Sequence, residues 1–531
     1  MIIPLVTILD NFNTRDEGEF YLLDKSTNQP LKVDFKYFLN HQNQIVSFDI
    51  NKIIDTLKGK TKSINAHIID LTQMYKLLKG KPVKELSTSN SWAIEYVLQD
   101  YSDLSTNEIE SLRTIYKGRK SQIQCDILTK LLQALELVYN RLNLALKENL
   151  EYERFWKIET VIIQLLVNRQ LNGINISPKL LESRLTKLDE IIYNNQKKLR
   201  FDYGVLNSTD NEVLRKVIID SGFEYTGRNI DNQNIDHLLK YGSDSSELLN
   251  LIYNLKKSKR DKSFLLRFGA VGESKVYPVY DCIGTVTSRI LIRDPLIQQL
   301  RKTSRDFFIP DKEKEFIYAD FGQFEPAILA DKSKAQKLIE LYNTGDIYEG
   351  LSITLFGDIS HRKFSKIVFL AYMYGMSIEG LTQIIHEFFP QLQIDIQLKL
   401  NDFFSEFKEL VVYKQKLEKE FLMNNRIGTS LGNFRYRESI GKNHLWNKEK
   451  RWLLSQNIQG TASLILKKAL IKLSAYETIE FLIPMHDAVL FQVPISDMKN
   501  SKLVIEKAFS DSFKEECPSI IPKIRFEKFD E

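Results

Sequence analysis

The sequence has only three cysteines in 531 residues, and they lie far apart, at Cys125, Cys282 and Cys517. Their number and spacing exclude a disulfide framework or a zinc module and are typical of a protein kept in a reducing compartment. No segment reaches the roughly 18 consecutive apolar residues that a membrane-spanning helix needs. There is also no internal repeat and no low-complexity linker, which excludes repeat arrays.

The first nine residues are apolar, but no basic residue precedes them and no small-residue cleavage site follows them. They are therefore predicted to form a first strand rather than a signal peptide. A mitochondrial presequence is disfavoured as well, because the N-terminus is not rich in arginine and is not amphipathic. We expect a cytoplasmic protein with no membrane contact.

The composition is that of a globular protein, with 43% hydrophobic and 27% charged residues, which excludes wholesale disorder. A chain of 531 residues is too long for one hydrophobic core, so two to four domains are expected. The net charge of +5 is in keeping with a polyanionic partner, although many enzymes without such a partner are as basic.

The hydrophobic periodicity changes along the chain. Residues 1–100 alternate short apolar runs with polar turns, which is an α/β pattern, whereas residues 335–450 are predicted to be mainly helical. Residues 479–493 are predicted to form a hairpin with His486 and Asp487 at its tip. The fold class predicted from these patterns is a multidomain α/β protein.

A basic cluster, defined as Lys256, Lys257, Lys259, Arg260 and Lys262, lies within a predicted helix. Such a density of cations is common on an ordinary solvated helix face. It is also what a helix that contacts phosphate groups needs. The spacing alone leaves both interpretations open.

Two aspartates stand at the ends of predicted strands. Asp320 ends the apolar run of residues 316–319, and Asp487 lies at the tip of the predicted hairpin. Phosphoryl transfer with two Mg²⁺ ions needs such a pair of hard oxygen ligands on rigid elements. Taken singly, each aspartate is better explained as a turn residue.

Four residues spaced four apart form a stripe on the predicted helix that begins near Arg362. They are Arg362, Lys366, Leu370 and Tyr374. Cations on one face with an aromatic ring beyond them suit a triphosphate and its base. By spacing alone, a surface helix with snorkelling side chains is the better explanation of the stripe.

The order of these and other motifs resembles the A-family DNA polymerases, the DNA polymerase I type, over roughly 380 residues from about residue 150 to the end. Thr287-Ser288-Arg289 with Pro295 and Gln298 is similar to the family's TGR…PxLQ segment. Residues 320–325 read DFGQFE where the family has DYSQIE. The other matching residues are Arg362, Lys366, Tyr374 and Gly375 in the R…K…YG motif, Arg451 and Gln459-Gly460 in a supporting helix, and His486-Asp487 in the HDE motif.

The resemblance implies a right-hand polymerase fold of palm, fingers and thumb, with an N-terminal α/β exonuclease-like domain. The implied divisions are an exonuclease-like domain at 1–150, the thumb with the start of the polymerase region at 151–276, the first part of the palm at 277–340, the fingers at 341–454, and the second part of the palm at 455–531.

The resemblance also implies catalytic roles. Asp320, Asp487 and the main-chain carbonyl of Phe321 are expected to hold two Mg²⁺ ions, with Mn²⁺ as an alternative. Arg362 is expected to meet the γ-phosphate of a deoxynucleoside triphosphate, and Lys366 the α-phosphate, with a second role as general acid toward pyrophosphate. Glu325 is expected to exclude a 2′-hydroxyl. The rest of the implied nucleotide site is Gln323, Leu370 beside the sugar, and Tyr374 beside the templating base.

A second set of residues is expected to contact primer–template DNA. Arg289 and Gln459 would bind minor-groove acceptors that all base pairs share, and so report correct pairing without reading sequence. In this context the basic cluster is interpreted as a grip of the thumb on the duplex. The remaining residues of this set are Gln298, Arg451, His486, and from the cluster Lys256, Lys257, Lys259 and Arg260.

Several residues depart from the family's pattern. Ala488 replaces the glutamate of HDE, so a carboxylate near the metal ions is lost. Leu370 stands where the family usually has Phe or Tyr, and Pro326-Ala327 replaces Leu-Arg. Ser455 and Asn457 depart in the supporting helix. Since Asp320 and Asp487 are both present, activity is still expected.

The N-terminal region resembles a 3′–5′ exonuclease only in part. Asp49 fits its second motif, and Asp10 is the best candidate for the first, although Phe12 stands where glutamate is expected. Lys120 and Gln124 occupy the tyrosine and aspartate positions of the third motif. Because two-metal hydrolysis needs several converging carboxylates, this domain is expected to be inactive.

These features predict a monomeric DNA-templated DNA polymerase of replication or repair, in a bacterial, phage or plasmid setting, that extends a primer 3′-OH and releases pyrophosphate. One alternative is a non-catalytic DNA-binding relative, which Ala488 and the incomplete exonuclease motifs favour. Another is an RNA-templated or primer-independent polymerase of a mobile element, because Glu325 predicts deoxynucleotide selection but not the template. A kinase-like ATPase is disfavoured, since no GxxxxGK[ST] loop occurs.

Overall fold

The computed structural model describes residues 2–8, 18–40, 43–48, 50–80, 94–117, 125–207, 210–220, 239, 246–268, 274–389 and 392–530. Within these ranges no helix is both long and apolar enough to span a bilayer. The residues on which the exonuclease prediction depends lie outside the described residues. They are Asp10, Phe12, Asp49, Lys120 and Gln124.

The described residues of the N-terminal part of the chain form five strands and six helices. The elements in order are β1 (Ile2–Ile8), β2 (Glu19–Asp24), β3 (Gln29–Val33), α1 (Lys36–Asn40), β4 (Gln44–Ser47), α2 (Ile50–Leu57), β5 (His67–Asp70), α3 (Leu71–Lys79), α4 (Ile94–Tyr101), α5 (Thr106–Lys117) and α6 (Cys125–Glu148). The strands form one mixed sheet in the order β3-β2-β1-β4-β5. Strand β1 is antiparallel to β2 and parallel to β4, so the predicted first strand is confirmed and lies at the centre of the sheet.

The next part of the chain is helical and ends in two short strand pairs. Its elements are α7 (Tyr152–Arg154), a π-helical turn (Phe155–Glu159), α8 (Thr160–Asn172), β6 (Ile174–Asn175), α9 (Pro178–Tyr203), α10 (Asn211–Asp220), α11 (Glu247–Leu265), β7 (Lys275–Val276), β8 (Val279–Asp281) and β9 (Leu291–Asp294). Helix α9 begins after Ser177, whose hydroxyl accepts the N–H of Leu180. Helices α9, α10 and α11 share a small core of their own.

A strand, a series of helices and a β-hairpin follow. They are β10 (Lys314–Phe321), α12 (Phe324–Ser333), α13 (Gln336–Thr344), α14 (Ile347–Phe356), α15 (Arg362–Met373), α16 (Ile378–Phe388), α17 (Ile396–Ser405), α18 (Lys408–Asn424), β11 (Arg426–Thr429), β12 (Gly432–Tyr436), α19 (Asn447–Leu454), a second π-helical turn (Ser455–Gln459) and α20 (Gly460–Leu473). The prediction that residues 335–450 are mainly helical is confirmed, and the β11–β12 hairpin interrupts the helices. Gly432 turns the chain at a φ of 72°, which favours glycine.

The last elements complete a four-stranded antiparallel sheet. They are β13 (Glu480–Pro484), β14 (Ala488–Pro494), α21 (Met498–Glu516) and β15 (Ile524–Glu527), and the sheet order is β13-β14-β10-β15. The predicted hairpin at 479–493 is confirmed, with His486 and Asp487 between its strands. Strand β14 is buried on both faces, and the nearly fully buried helix α20 packs on α21. The sheet is therefore a rigid support for side chains at its edges.

Candidate active site

The two predicted carboxylates meet at one edge of the four-stranded sheet. Asp320, near the end of β10, lies directly opposite Ala488 at the start of β14. The N–H of Phe321 donates to the carbonyl oxygen of Asp487 over 3.1 Å. The antiparallel pairing of β10 and β14 thus places Asp320 and Asp487 side by side.

Both carboxyl groups have raised pKa values. Burial, followed by repulsion from Asp487 and Glu527, raises the pKa of Asp320 to about 7. Burial, followed by repulsion from Glu325, raises the pKa of Asp487 to about 6 against the attraction of Arg289. Oδ1 of Asp487 is buried and has no hydrogen-bond partner. Oδ1 of Asp487 lies 3.9 Å from Nη2 of Arg289, and two adjacent carboxyls with raised pKa values favour a bound cation.

The neighbours of these carboxyls limit what else could hold a metal. The ring of Phe321 stacks in the core on Phe324, at 4.2 Å, and on Phe509, at 4.7 Å. Since side chains alternate along a strand, Asp320 points to the opposite face. No group of three or more His, Cys, Asp or Glu among the described residues could hold a metal ion. A divalent ion here would depend on two carboxylates, on backbone oxygens and on a bound substrate.

A cavity of about 280 Å³ lies in front of the two carboxylates, and helix α15 forms one of its walls. Arg362, Lys366 and Leu370 line this cavity, so the predicted stripe faces the site. Nη2 of Arg362 donates a hydrogen bond to Oδ2 of Asp346 over 2.5 Å. The cationic groups of Arg362 and Lys366 lie 5.4 and 5.7 Å from the ring of Tyr348.

Glu325 joins the carboxylate edge to helix α15. It lies in the first turn of α12 and accepts hydrogen bonds from the Tyr374 hydroxyl and the Arg289 guanidinium. Burial, followed by the charge of Glu325, raises the pKa of Tyr374, so its hydroxyl remains a donor. Gln323 precedes α12 with a φ of 52°, and its Oε1 accepts the N–H of Ile347 over 3.0 Å. Glu325, Tyr374 and Arg289 are thus held by one another, and Gln323 is held by the start of α14.

The residues predicted to contact primer and template differ in their surroundings. His486 lines the cavity, and burial lowers its pKa, which favours the neutral imidazole. Gln459 lies in the second π-helical turn and hydrogen-bonds to Tyr374. Arg451 is exposed on α19. By contrast, the side-chain amide of Gln298 forms its hydrogen bonds with the backbone. Its Nε2 donates to the carbonyl of Pro484 over 2.8 Å, and its Oε1 accepts the N–H of Ile292.

The basic cluster does not form a single solvent-facing patch. Helix α11 packs along α9, and burial lowers the pKa of Lys259. Lys256 donates to Asn211 over 3.1 Å, and Lys262 pairs with an aspartate of α9. Arg260 is exposed, and the ammonium group of Lys257 lies over a tyrosine ring at 4.9 Å. Part of the cluster therefore holds the helix to its neighbours.

Two residues of the cavity wall, and a third that holds a wall residue, were missed by sequence reasoning. Tyr348 and Arg525 line the cavity, and Asp346 binds Arg362. Asp346 and Tyr348 fall in the segment DIYEGLS, where an N-cap aspartate before an apolar run was a readable signal. Arg525 belongs to no motif and reaches the site only through the pairing of β15 with β10.

An antiparallel sheet with two carboxylates at its edge, beneath a helical layer that presents cations, defines a polymerase-type fold. Comparison with known proteins agrees with this assignment. The sequence profile of DNA polymerase family A matches residues 154–519. The polymerase domain of Pol1 from M. smegmatis, solved in complex with DNA primer–template and dNTP, is similar in structure with a TM-score of 0.76 and 17% identity, covering 99% of this chain and 95% of that chain.

Curated relatives include two bacterial enzymes named DNA polymerase I. The protein from Helicobacter pylori is 23% identical over 557 residues, which cover 94% of this chain and 57% of that protein. The protein from Caldicellulosiruptor bescii is 22% identical over 536 residues, which cover 91% of this chain and 60% of that protein. The chain therefore spans somewhat over half the length of these relatives.

The chain belongs to DNA polymerase family A, because the family match covers well over half of its length. The predicted family and its α/β polymerase fold are confirmed. The domain boundaries, the exonuclease-like character of residues 1–150, the monomeric state and the cytoplasmic location stay predictions.

Proposed function

We propose that this chain is a DNA-templated DNA polymerase that adds deoxynucleotides to a primer 3′-OH. The observation that carries the proposal is the single cavity in which Asp320 and Asp487 face Arg362 and Lys366. In the reaction the primer 3′-oxygen forms a bond to the α-phosphorus of the nucleotide. The bond from that phosphorus to the bridging α–β oxygen breaks, pyrophosphate leaves, and the hydroxyl proton is lost to solvent.

Asp320 and Asp487 would hold two Mg²⁺ ions, with the main-chain carbonyl of Phe321 as a further ligand and Mn²⁺ as an alternative ion. Oδ1 of Asp487, which is buried and accepts no hydrogen bond, and the raised pKa of both carboxyls fit this role. When bound, such ions lower the pKa of the attacking hydroxyl and neutralise charge on the phosphates. The two aspartates would supply rigid anionic ligands, because Asp320 stands on β10 and Asp487 directly precedes β14, its partner in the sheet.

Arg362 and Lys366 would bind the triphosphate. One helical turn separates them, and the cationic groups of both form cation–π contacts with the ring of Tyr348. These contacts limit the motion of both side chains. Arg362 is paired with Asp346, so its guanidinium is already oriented before a phosphate arrives. Lys366, whose charge acts on both Asp320 and Asp487, would protonate the departing pyrophosphate.

Glu325 would select against ribonucleotides. Its carboxylate is held in place by hydrogen bonds from Tyr374 and Arg289. A 2′-hydroxyl would therefore clash with a side chain that cannot move aside. Leu370 would pack on the sugar, and Gln323 would support the loop before α12. Tyr374 would lie beside the templating base.

The template-facing residues would lie around the same cavity. Arg289 and Gln459 both contact the Glu325–Tyr374 pair, so a primer terminus that they bind would lie next to the nucleotide. His486 lines the cavity, Arg451 is exposed, and Arg260 is the most solvent-exposed cation of the basic cluster. Residues 1–150, with their mixed sheet, are proposed to be an inactive exonuclease-like domain.

The function is tested by extension of a labelled primer on four templates that differ in the first templating base. With Mg²⁺, each template should direct incorporation of its complementary deoxynucleotide, and ribonucleotides should be used far less. Bound primer–template without extension would contradict the proposal in favour of a binding protein. Preference for an RNA template, or synthesis without a primer, would favour the mobile-element alternative.

The metal requirement is expected to depend on pH. The raised pKa values, about 7 for Asp320 and about 6 for Asp487, mean that both carboxyls take up protons as the pH falls. Because protons then compete with the divalent ion, the Mg²⁺ concentration for half-maximal extension should rise by roughly tenfold or more from pH 8 to pH 6. Mg²⁺ titrations of primer extension at both pH values measure this, and an unchanged requirement would contradict it.

A further inference from the structure

Arg525 stands on the wall of the proposed nucleotide site, outside every motif. Strand β15 pairs with β10 on the side away from β14, and Arg525 lies directly opposite Asp320 in that pairing. Partners in register share a face of the sheet, so Arg525 projects on the same side as the Asp320 carboxyl. It lines the same cavity as Asp320, Arg362 and Lys366.

Gly322 leaves the space that the Arg525 side chain occupies. The N–H of Gly322 donates to the carbonyl of Lys523 over 2.8 Å, which draws the two strands together. A Cβ atom at position 322 would lie 3.3 Å from Nε of Arg525, so a larger residue would crowd the guanidinium. The matching motif DYSQIE has serine at this position, and glycine here gives Arg525 room to lie over the loop before α12.

The cations of the cavity differ in how their charge is neutralised. Arg289 is paired with Glu325, and Arg362 with Asp346. Within the described part of the chain, Arg525 forms no ion pair with a carboxylate, and its side chain is exposed. A guanidinium without a carboxylate partner has its planar fork of donors available for a bidentate bond to phosphate oxygens.

The chain just before Arg525 contacts the Arg362 end of the cavity. Lys523, which directly precedes β15, donates to the carbonyl of Gly345 over 2.5 Å. Gly345 adjoins Asp346, the partner of Arg362. This end of the cavity is where the phosphates farthest from the reacting centre would lie if Arg362 binds the γ-phosphate.

We propose that Arg525 is a third cation of the triphosphate site, which binds the β- and γ-phosphates of the incoming nucleotide and the pyrophosphate they become. The inference rests on the proposed function and adds a residue to it. Arg525 would act by binding rather than by proton transfer, because a guanidinium keeps its proton at any working pH.

The test compares Arg525→Ala, Arg525→Gln and Arg525→Lys with the wild-type chain. Nucleotide binding is measured on a primer that ends in a dideoxynucleotide, so that no bond forms. A charge-assisted bond to phosphate predicts roughly tenfold to hundredfold weaker dNTP binding for Ala and Gln, with partial recovery for Lys. Pyrophosphate should inhibit extension less well by a similar factor, while primer–template affinity stays unchanged.

Lys502→Ala is the matched control, because the Lys502 ammonium lies 5.7 Å from the ring of Phe526, a residue on the other face of β15. It should change neither dNTP binding nor pyrophosphate inhibition. Unchanged values for both constants in Arg525→Ala and Arg525→Gln, in a chain whose wild type extends primers, would overturn the role of Arg525 alone. A wild-type chain that binds primer–template but no dNTP would overturn the proposed function and this role together.

Discussion

Replacement of Asp487 by alanine is expected to lower the single-turnover rate of nucleotide incorporation by about 10³-fold or more. Asp487 and Asp320 are the two carboxylates brought together by the β10–β14 pairing. Ala488 occupies the position opposite Asp320 and is 1% exposed, so the carboxylate that the HDE motif would supply there is missing. Because that carboxylate is absent, the loss of Asp487 should lower the rate more than it would in a protein that has the complete HDE motif.

The measurement is rapid-quench incorporation of one nucleotide, together with primer–template binding. Asp487→Asn, which keeps the shape of the side chain and removes its charge, should be impaired to a similar degree. Asp511→Ala is the control, because Asp511 is an exposed aspartate on α21. Primer–template binding should be retained in every variant. An Asp487→Ala rate within tenfold of the wild-type rate would rule out Asp487 as a metal ligand.

Replacement of Lys467 by methionine is expected to lower the free energy of unfolding by about 3–5 kcal/mol. Glu159 is fully buried between Arg154 and Lys467, each of which donates to it over 2.6 Å. Burial alone would raise the pKa of Glu159, but Lys467 and then Arg154 hold it at about 2. Removing the ammonium group would leave Glu159 with one cation in the interior.

Denaturant unfolding at pH 7 measures this effect, and Lys472→Met is the matched control. Lys472 lies on the same helix, α20, and pairs with Glu515 at the surface over 2.5 Å. An exposed pair contributes about 1 kcal/mol or less. Equal losses of unfolding free energy in the two variants would contradict a stabilising role of the buried ion pair.

The stability that this pairing contributes depends on pH. Because the folded-state pKa of Glu159 is depressed from 4.5, its pairing stabilises the fold above pH 4.5 and loses that effect as the pH falls toward 2.

The buried ion pairs of Glu159 also connect to the active site through Lys467. Lys467 donates to the hydroxyl of Ser288 over 2.7 Å and to the carbonyl of Cys282 over 3.0 Å. Ser288 has a φ of 60°, an uncommon conformation for a residue with a Cβ, and it directly precedes Arg289. The network therefore helps to orient Arg289 toward Glu325. Sequence reasoning did not find it, because its members come from three separate parts of the chain.

The parts of the site that sequence reasoning found are local in the chain. Arg362, Lys366 and Leu370 share a cavity wall because helical periodicity alone puts them on one face. Asp320 and Asp487 were predictable as strand ends, and the motif order supplied their pairing. The hairpin that holds Asp487 was readable from its apolar runs and polar tip.

The parts that were missed depend on contacts between distant segments. Arg525 reaches the site only because β15 adds to the sheet beside β10, and nothing in residues 524–527 indicates that register. Gln298 matched a motif, yet the structure shows its amide held by the backbone, which a motif does not reveal. The basic cluster shows the same limit, because charge spacing does not tell which cations pack against α9.

The most direct test of this account is a crystal structure of the chain with a dideoxy-terminated primer–template, the matching dNTP and Mn²⁺, recorded with anomalous scattering from manganese. We expect manganese bound by the carboxylates of both Asp320 and Asp487, and the triphosphate in contact with Arg362, Lys366 and Arg525. Manganese bound away from the two aspartates, or a nucleotide bound outside their cavity, would show that Asp320 and Asp487 do not form the metal site of a polymerase.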